Sequence, residues 1–286
     1  MINLNPVYPD LKGKVAVVTG AGSGIGRAVA KELARQNMYI AILDIHEGGL
    51  QETFNEILLE LGNSRDYKLA AYFLCDVANE KQVAKTFAEI VKLTHTIDTV
   101  VNNAGIVPKE SLAMADVTIE LWDKIMAVNT TGYFLVTKYA EQAFIKQAKM
   151  SQDGKYESGS LVYVCSNAGI LGSAKNIYGI SNAARINMMR QAALEMAPYG
   201  IRANAVIPGD VLEGSGIWDK AYLGQRAEAK NMSVEEAKKY YETRAPLGKK
   251  ATAEQVAKMV CFLASLYNSG NTTGQILRCD GGQLMT

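Results

Sequence analysis

Histidine is nearly missing from this 286-residue sequence: there are two, His46 and His95, and neither lies in a His-x-x-x-His or His/Cys cluster. Without such spacing a protein metal site is not expected, and both rings read as surface or strand-end residues. Cysteine is almost as sparse. Cys75, Cys165, Cys261 and Cys279 are scattered without Cys-x-x-Cys spacing, so they read as buried free thiols in a reducing compartment. No apolar run exceeds the length of a strand, which argues against a transmembrane span. The opening residues Met1 to Asp10 have neither a basic start nor an apolar core, so no signal peptide is expected and a cytoplasmic location is. Excess charge is lacking too. With 30 Lys and Arg against 29 Asp and Glu, neither nucleic acid nor an anionic membrane is expected as the main partner. No repeat, low-complexity tract or long linker divides the chain, so a single domain over 1–286 is expected, with ample length for a core.

Glycine, by contrast, is plentiful, and its densest run organises the sequence. Val15 to Val18 is a short β-branched apolar run, the mark of a strand buried on both faces. Glycines follow at 20, 22, 24 and 26, and Arg27 to Gln36 then reads as a helix with Ala28, Val29, Leu33 and Ala34 on one side. A strand that turns through glycines into a helix gathers free backbone N–H groups and the positive helix end at one point, where a pyrophosphate binds. Gly20 suits the tight turn, Gly24 admits a phosphate to the backbone, and Gly26 lets helix and strand approach. A βα turn that merely needs glycines is the plain alternative; the strand before, the helix after and an acid further on favour the nucleotide site. That acid is Asp44, closing the run Tyr39 to Asp44. A carboxylate at this strand tip accepts hydrogen bonds from ribose hydroxyls and repels a 2′-phosphate. Ile45, His46 and Glu47 supply no arginine for such a phosphate, so NAD is favoured over NADP.

Strand-like and helix-like segments alternate from Val15 to about Leu277, which calls for an α/β fold: a doubly wound parallel sheet with helices on both faces. Strands are expected at 70–74, 99–102, 160–165, 202–207 and 274–277. Helices are expected through Leu50 to Leu61, from an Asn79/Gln82 capping box, over 121–150 and 177–196, and from Thr252/Gln255. Asp210 to about Lys250 is polar and charged, with a helix capped by Ser233 and Glu236. An insertion there, beyond the carboxyl end of a strand, is where such a sheet keeps a substrate lid.

The fifth strand delivers Ser166, and Tyr178 follows at a helix start. Hydride transfer between an alcohol and a nicotinamide needs a group that exchanges the hydroxyl proton, which a tyrosine can do when its pKa, ordinarily about 10, is drawn toward neutrality. A neighbouring serine hydroxyl can orient the substrate oxygen. Together these segments resemble the short-chain dehydrogenase/reductase family, whose folds are Rossmann-type sheets of about seven strands. Thr19-Gly-Ala-Gly-Ser-Gly-Ile-Gly26 matches its cofactor motif, Asp76 its adenine-contacting acid, and Asn102-Asn-Ala-Gly105 its fourth-strand motif. Pro208-Gly209 matches the motif beside the nicotinamide carboxamide, and Asn129, Ser166 and Tyr178 match three of the four catalytic positions. The resemblance implies Tyr178 as acid/base, Ser166 as substrate-oxygen anchor and Asn129 as holder of a proton-relay water. It implies a cofactor site of Gly20, Ser23, Gly24, Ile25, Gly26, Asp44, Ile45, Asp76, Val77, Asn103, Ala104, Gly105, Tyr178, Asn182, Pro208, Gly209 and Val211.

One position departs from the pattern. The family has Tyr-x-x-x-Lys, whereas this chain reads Tyr178-Gly-Ile-Ser-Asn182. Spacing of four puts residue 182 on the same helix face as Tyr178. A lysine there would stabilise the phenolate and bond the nicotinamide ribose; asparagine keeps a hydrogen-bonding end without charge. Without a pKa depression of about two to three units, base-assisted oxidation would slow roughly 100- to 1000-fold. Lys175 or Arg185 could supply the charge, and a solvated helix residue is the favoured reading of Arg185. A natural substitution, an engineered knock-out and a non-catalytic relative all fit these letters.

Within the family, Gly214 to Trp218, Lys239 to Leu247 and Asp280 to Met285 are similar to sorbitol-6-phosphate 2-dehydrogenases and to the dehydrogenase part of rhamnulose-phosphate aldolase/dehydrogenases. That implies a small-molecule sugar or polyol, oxidised at a secondary hydroxyl. Lys220, Arg226, Arg244, Lys249 and Lys250 could hold a phosphate, but Glu228, Glu235, Glu236 and Glu242 lie among them, and a mixed solvated face is favoured. The family also implies a homo-tetramer or dimer built through helices 121–150 and 177–196. The competing reading is a dinucleotide-binding sensor or scaffold, its catalysis impaired at Asn182.

Overall fold

The computed structural model describes residues 8–60, 70–109, 112–156, 159–172, 176–212, 220–228 and 230–285. Its sheet has seven strands: β1 (Val15–Thr19), β2 (Tyr39–Asp44), β3 (Ala70–Leu74), β4 (Thr99–Asn102), β5 (Ser160–Val164), β6 (Arg202–Pro208) and β7 (Ile276–Cys279). All pair in parallel, in the order β3-β2-β1-β4-β5-β6-β7. The chain runs outward from β1 to β3, then returns to the other side of β1 at β4. That reversal opens a crevice beyond the carboxyl ends of β1 and β4.

The central strands read as continuous apolar runs because both faces are covered. Alternate side chains go to opposite layers. Val17, Ala41, Val100, Leu161 and Tyr163 pack against α3 (Glu80–Thr94), α5 (Tyr133–Met150) and α6 (Asn176–Met196). Ala16, Val18, Ile40, Ile42, Val101 and Val162 pack against α1 (Gly24–Arg35), α2 (Glu47–Glu60) and α9 (Ala253–Ala264). Cys75, Cys165 and Cys261 are buried free thiols within these layers, and Cys279 is half-buried. His46 and His95 are exposed. No helix is long and apolar enough to cross a membrane among the described residues.

Several boundaries differ from the sequence reading, each for a local reason. Helix α1 begins at Gly24, three residues early, because the glycine turn runs directly into it. The last strand lies two residues later than 274–277: Gly274 sits at φ +70 and donates to the Ala203 carbonyl, forming the turn that leads in. Pro208 closes β6 instead of following it. The expected 121–150 helix is α4 (Ile119–Met126), one wide π turn (Ala127–Gly132), then α5. Asn79 caps α3 through the Gln82 N–H, but the Gln82 side chain reaches past it to the Asp76 N–H. The capping boxes at Ser233/Glu236 and Thr252/Gln255 form completely.

Between β6 and α9 the polar insertion holds α7 (Lys220–Glu228), a further helix that no sequence pattern indicates, and α8 (Val234–Thr243), as its capping pair implies. They share a small core of Leu223, Ala227, Ala237 and Tyr241, separate from the sheet layers. Gly214 to Trp218 and Lys175 lie outside the described residues. A final short helix, α10 (Leu266–Ser269), follows α9.

Candidate active site

At the crevice the glycine turn is held in a narrow geometry. Gly20 has φ +66, and a Cβ there would lie 2.8 Å from the Ala104 Cα. A Cβ on Gly26 would overlap the Gly20 carbonyl oxygen, so glycine is required for α1 to close on β1. Thr19 and Asn103 lock the turn to the end of β4. Thr19 Oγ1 accepts from the Asn103 and Ala104 N–H groups at 2.9 and 3.1 Å, and Asn103 Nδ2 donates to the Thr19 carbonyl at 2.9 Å. Ser23 precedes α1 without a side-chain cap. The N–H groups of Gly24, Ile25 and Gly26 therefore face the crevice end of the helix, where the helix dipole favours an anion.

Asp44 ends β2 beside this turn. Its carboxylate accepts from the Gly22 N–H at 2.9 Å and the His46 N–H at 3.0 Å, so its position is fixed. The nearest cation of α1, Arg27, is turned away to Thr53, Glu52, Glu56 and the Gly22 carbonyl. The turn, the uncapped helix end and the fixed acid together fit the pyrophosphate and adenosine ribose of a dinucleotide. Around them, Ile45 is exposed, and Asp76 is half-buried and bonded to the Ala78 N–H. Val77 is buried against Gly132, so it offers the crevice backbone only. Pro208 closes β6, Gly209 follows it and packs against Asp280, and buried Val211 pairs with Ala251.

The second cluster surrounds the start of α6. Ser166 opens the turn Asn167–Gly169 and accepts from the Ala168 N–H. A Cβ on Gly169 would lie 2.7 Å from the Asn182 carbonyl carbon and 2.8 Å from the Ala183 nitrogen. The Ser166 turn therefore rests directly on α6, one turn beyond half-buried Tyr178. Asn129, fully buried in the π turn, accepts from the Ile106 N–H and donates to the Ile106 carbonyl and to Ser181 Oγ. Ser181 Oγ and Asn182 Nδ2 both donate to the Tyr178 carbonyl, at 2.9 and 2.8 Å. Asn182 is fully buried, its amide used within the helix. The structure thus gathers Asn129, Ser166 and Tyr178, while Asn182 presents no group to the crevice.

Arg185 differs most from the sequence reading. It is 3% exposed instead of solvated. Its Nε donates to the Asn129 carbonyl at 2.7 Å, and its guanidinium lies 3.9 Å from the centre of the Tyr133 ring. Tyr133 is fully buried, and burial raises its phenol well above the ordinary range. Burial likewise pushes the neighbouring Cys165 thiol up to about 12. The signal available in sequence was the spacing: 178, 182 and 185 fall on one helix face. In the insertion between β6 and α9, Arg244 bonds Asp210 at 2.6 Å and Arg226 bonds the Tyr241 hydroxyl. These two candidate phosphate ligands are therefore engaged within the insertion. Lys249 and Lys250 are exposed, and the Lys220 side chain lies outside the described residues. Among the described residues no group of three His, Cys, Asp or Glu stands close enough to hold a metal ion.

Comparison with known proteins agrees with this geometry. A family model described as "Enoyl-(Acyl carrier protein) reductase" matches residues 20–283. The NAD-dependent glycerol dehydrogenase of Listeria innocua is 32% identical over 96% of this chain and 94% of its own. Sorbitol-6-phosphate 2-dehydrogenase of Klebsiella pneumoniae is 30% identical over 92% of this chain and 95% of its own. The crystal structure of levodione reductase superposes with a TM-score of 0.82 at 26% identity, over 95% of this chain and 98% of that one. Seven parallel strands, the glycine turn and a match running nearly end to end give one assignment: the chain belongs to the short-chain dehydrogenase/reductase family of oxidoreductases.

Proposed function

We propose that the protein is an NAD(H)-dependent dehydrogenase that interconverts a secondary alcohol of a polyol or sugar and its ketone. The observation that supports this reading is the packing of the Ser166 turn onto α6 through Gly169, about one helical turn past Tyr178; on this reading the serine hydroxyl and the phenol share the mouth of a dinucleotide crevice. In oxidation Ser166 holds the substrate oxygen and Tyr178 takes its proton. The bound dinucleotide supplies the hydride acceptor. Asp44, held by two backbone N–H groups, receives the ribose hydroxyls, while Asp76 and Val77 border the adenine and Pro208, Gly209 and Val211 the carboxamide. NAD is preferred because Asp44 repels a 2′-phosphate and Arg27 is already engaged. The glycerol and sorbitol-6-phosphate relatives support the polyol class. Helices α7 and α8 form the substrate lid. The exposed Phe134, Met150 and Leu194 on α5 and α6 support self-association into a dimer or tetramer, and the buried free thiols support a cytoplasmic location.

The test is NADH formation from about pH 6 to 11 with a panel of polyols and polyol phosphates. Turnover of at least one, with NAD preferred over NADP, is the expected result. The burial of Asn182 favours a second reading, a dinucleotide-binding protein without turnover. Tight NADH binding with no turnover at any pH would establish that reading in place of the first.

A further inference from the structure

A guanidinium stays charged at any pH a protein experiences, and burying it without a carboxylate is costly unless it has other partners. Among the described residues two are buried, Arg185 and Arg202. Arg202 shows the structural solution: Nη1 and Nη2 donate to the Leu263, Ser269 and Ala264 carbonyls and to Ser269 Oγ, and only Nε is left over. Arg185 is built differently. Its Nε takes the Asn129 carbonyl, Nη1 has a long 3.5 Å contact to Asn182 Oδ1, and Nη2 is buried without a partner. That unpaired edge lies over Gly105, where a Cβ would stand 2.7 Å from Nη2 and 3.3 Å from Nη1. Gly105 is exposed at the end of β4, on the floor of the crevice. Among the described residues, the ionisable groups that interact with the guanidinium are the Tyr133 phenol of α5 and the Cys165 thiol after β5; Tyr178, two turns back on α6, interacts with the same Tyr133 phenol. None is a carboxylate.

We propose that Arg185 supplies the positive charge that the family's lysine would hold, acting as a positioning residue for Tyr178 from seven residues along α6. The inference rests on reading Tyr178 as the acid/base. In oxidation the substrate O–H bond breaks and its proton passes to the Tyr178 oxygen. The carbinol C–H hydrogen leaves with its electron pair to oxidised NAD as C=O forms, and Arg185 stays protonated throughout. An opposite charge in this position changes the neutral-pH rate by roughly 10- to 1000-fold.

The experiment compares wild type, Arg185→Met, Arg185→Lys and Arg185→Met/Asn182→Lys by NADH formation against pH, NADH fluorescence titration and thermal melting. Arg185→Met is expected to lose about 100-fold at pH 7, with the loss shrinking toward pH 10, where a phenol ionises unaided. Its NADH affinity is expected to change less than about threefold. Arg185→Lys keeps part of the rate, and Asn182→Lys restores the Met variant to within about tenfold of wild type. A pH-independent loss, an unchanged profile or a failed rescue overturns the proposal while leaving the dehydrogenase reading intact. No turnover by wild type that still binds NADH overturns both. If Arg185→Met does not fold, Asn182→Lys alone decides. A gain under about threefold at pH 7 means that a charge is already present, and any larger gain means that it is not.

Discussion

Replacing Asp44 tests cofactor choice at a group whose position is known. The carboxylate is anchored by Gly22 and His46 N–H groups at 2.9 and 3.0 Å, so it cannot swing aside to admit a 2′-phosphate without giving up both bonds. At a separation of ~5 Å in water-like screening, its repulsion of a doubly charged phosphate is about 1.7 kcal/mol, and more at lower dielectric. Asp44→Asn removes that charge while keeping the shape and one acceptor, so NADPH affinity should rise about tenfold or more. Asp44→Ala also deletes the acceptor for the ribose hydroxyls. A hydrogen bond to a charged group contributes about 1.5–3 kcal/mol, so NADH should weaken by about 10- to 150-fold. Neither variant should bind NADPH as tightly as wild type binds NADH, because Arg27 remains tied to Glu52 and Glu56. The assay is fluorescence titration with NADH and NADPH, with a melting curve to verify folding. An unchanged NADH/NADPH ratio in both folded variants would refute the argument and assign selection to another group.

Tyr178→Phe should lower the oxidation rate by about 1000-fold while leaving NADH binding near wild type; equal losses of rate and binding would mean that the phenol holds the fold and not the proton. Gly26→Ala forces α1 away from the Gly20 carbonyl, so melting should fall by several degrees, roughly 1–3 kcal/mol, and NADH binding should weaken with it. Glu141 is raised to about 7 by burial and by Glu195. A carboxyl with a raised folded value stabilises below its unfolded pKa, near 4.3, and that contribution is lost as pH rises through 7. Glu141→Gln should therefore melt with wild type at about pH 4 or below and about 2 °C or more above it at pH 8. Coincident curves at both pH values would refute the assignment.

The frame was legible because its information is local. Val15 to Val18 and Tyr39 to Asp44 read as strands covered on both faces, and the glycines between them permit one route from strand to helix. The short-chain dehydrogenase/reductase resemblance, the seven strands and the parallel order follow from such segments. The site is only partly local. Arg185 looks like any helical arginine until Tyr133, fifty-two residues earlier in sequence, is folded beneath it. The π turn at Ala127–Gly132 has no period of its own in a helix that is apolar on both sides of it. Helix α7 escaped because a short polar helix with only a small private core leaves little pattern to read.

Gly105 and Arg185 also constrain the order in which this chain can change. While the guanidinium lies over the crevice floor, a Cβ at 105 would stand 2.7 Å from its Nη2, so a side chain there must displace the end of Arg185. Trimming Arg185 first would open the floor but strip the crevice of its buried cation. A path that installs lysine at 182 first and then shortens 185 lets 105 vary without displacing a buried cation. The three positions are thus epistatic. Variants made one at a time would understate how freely they exchange as a set.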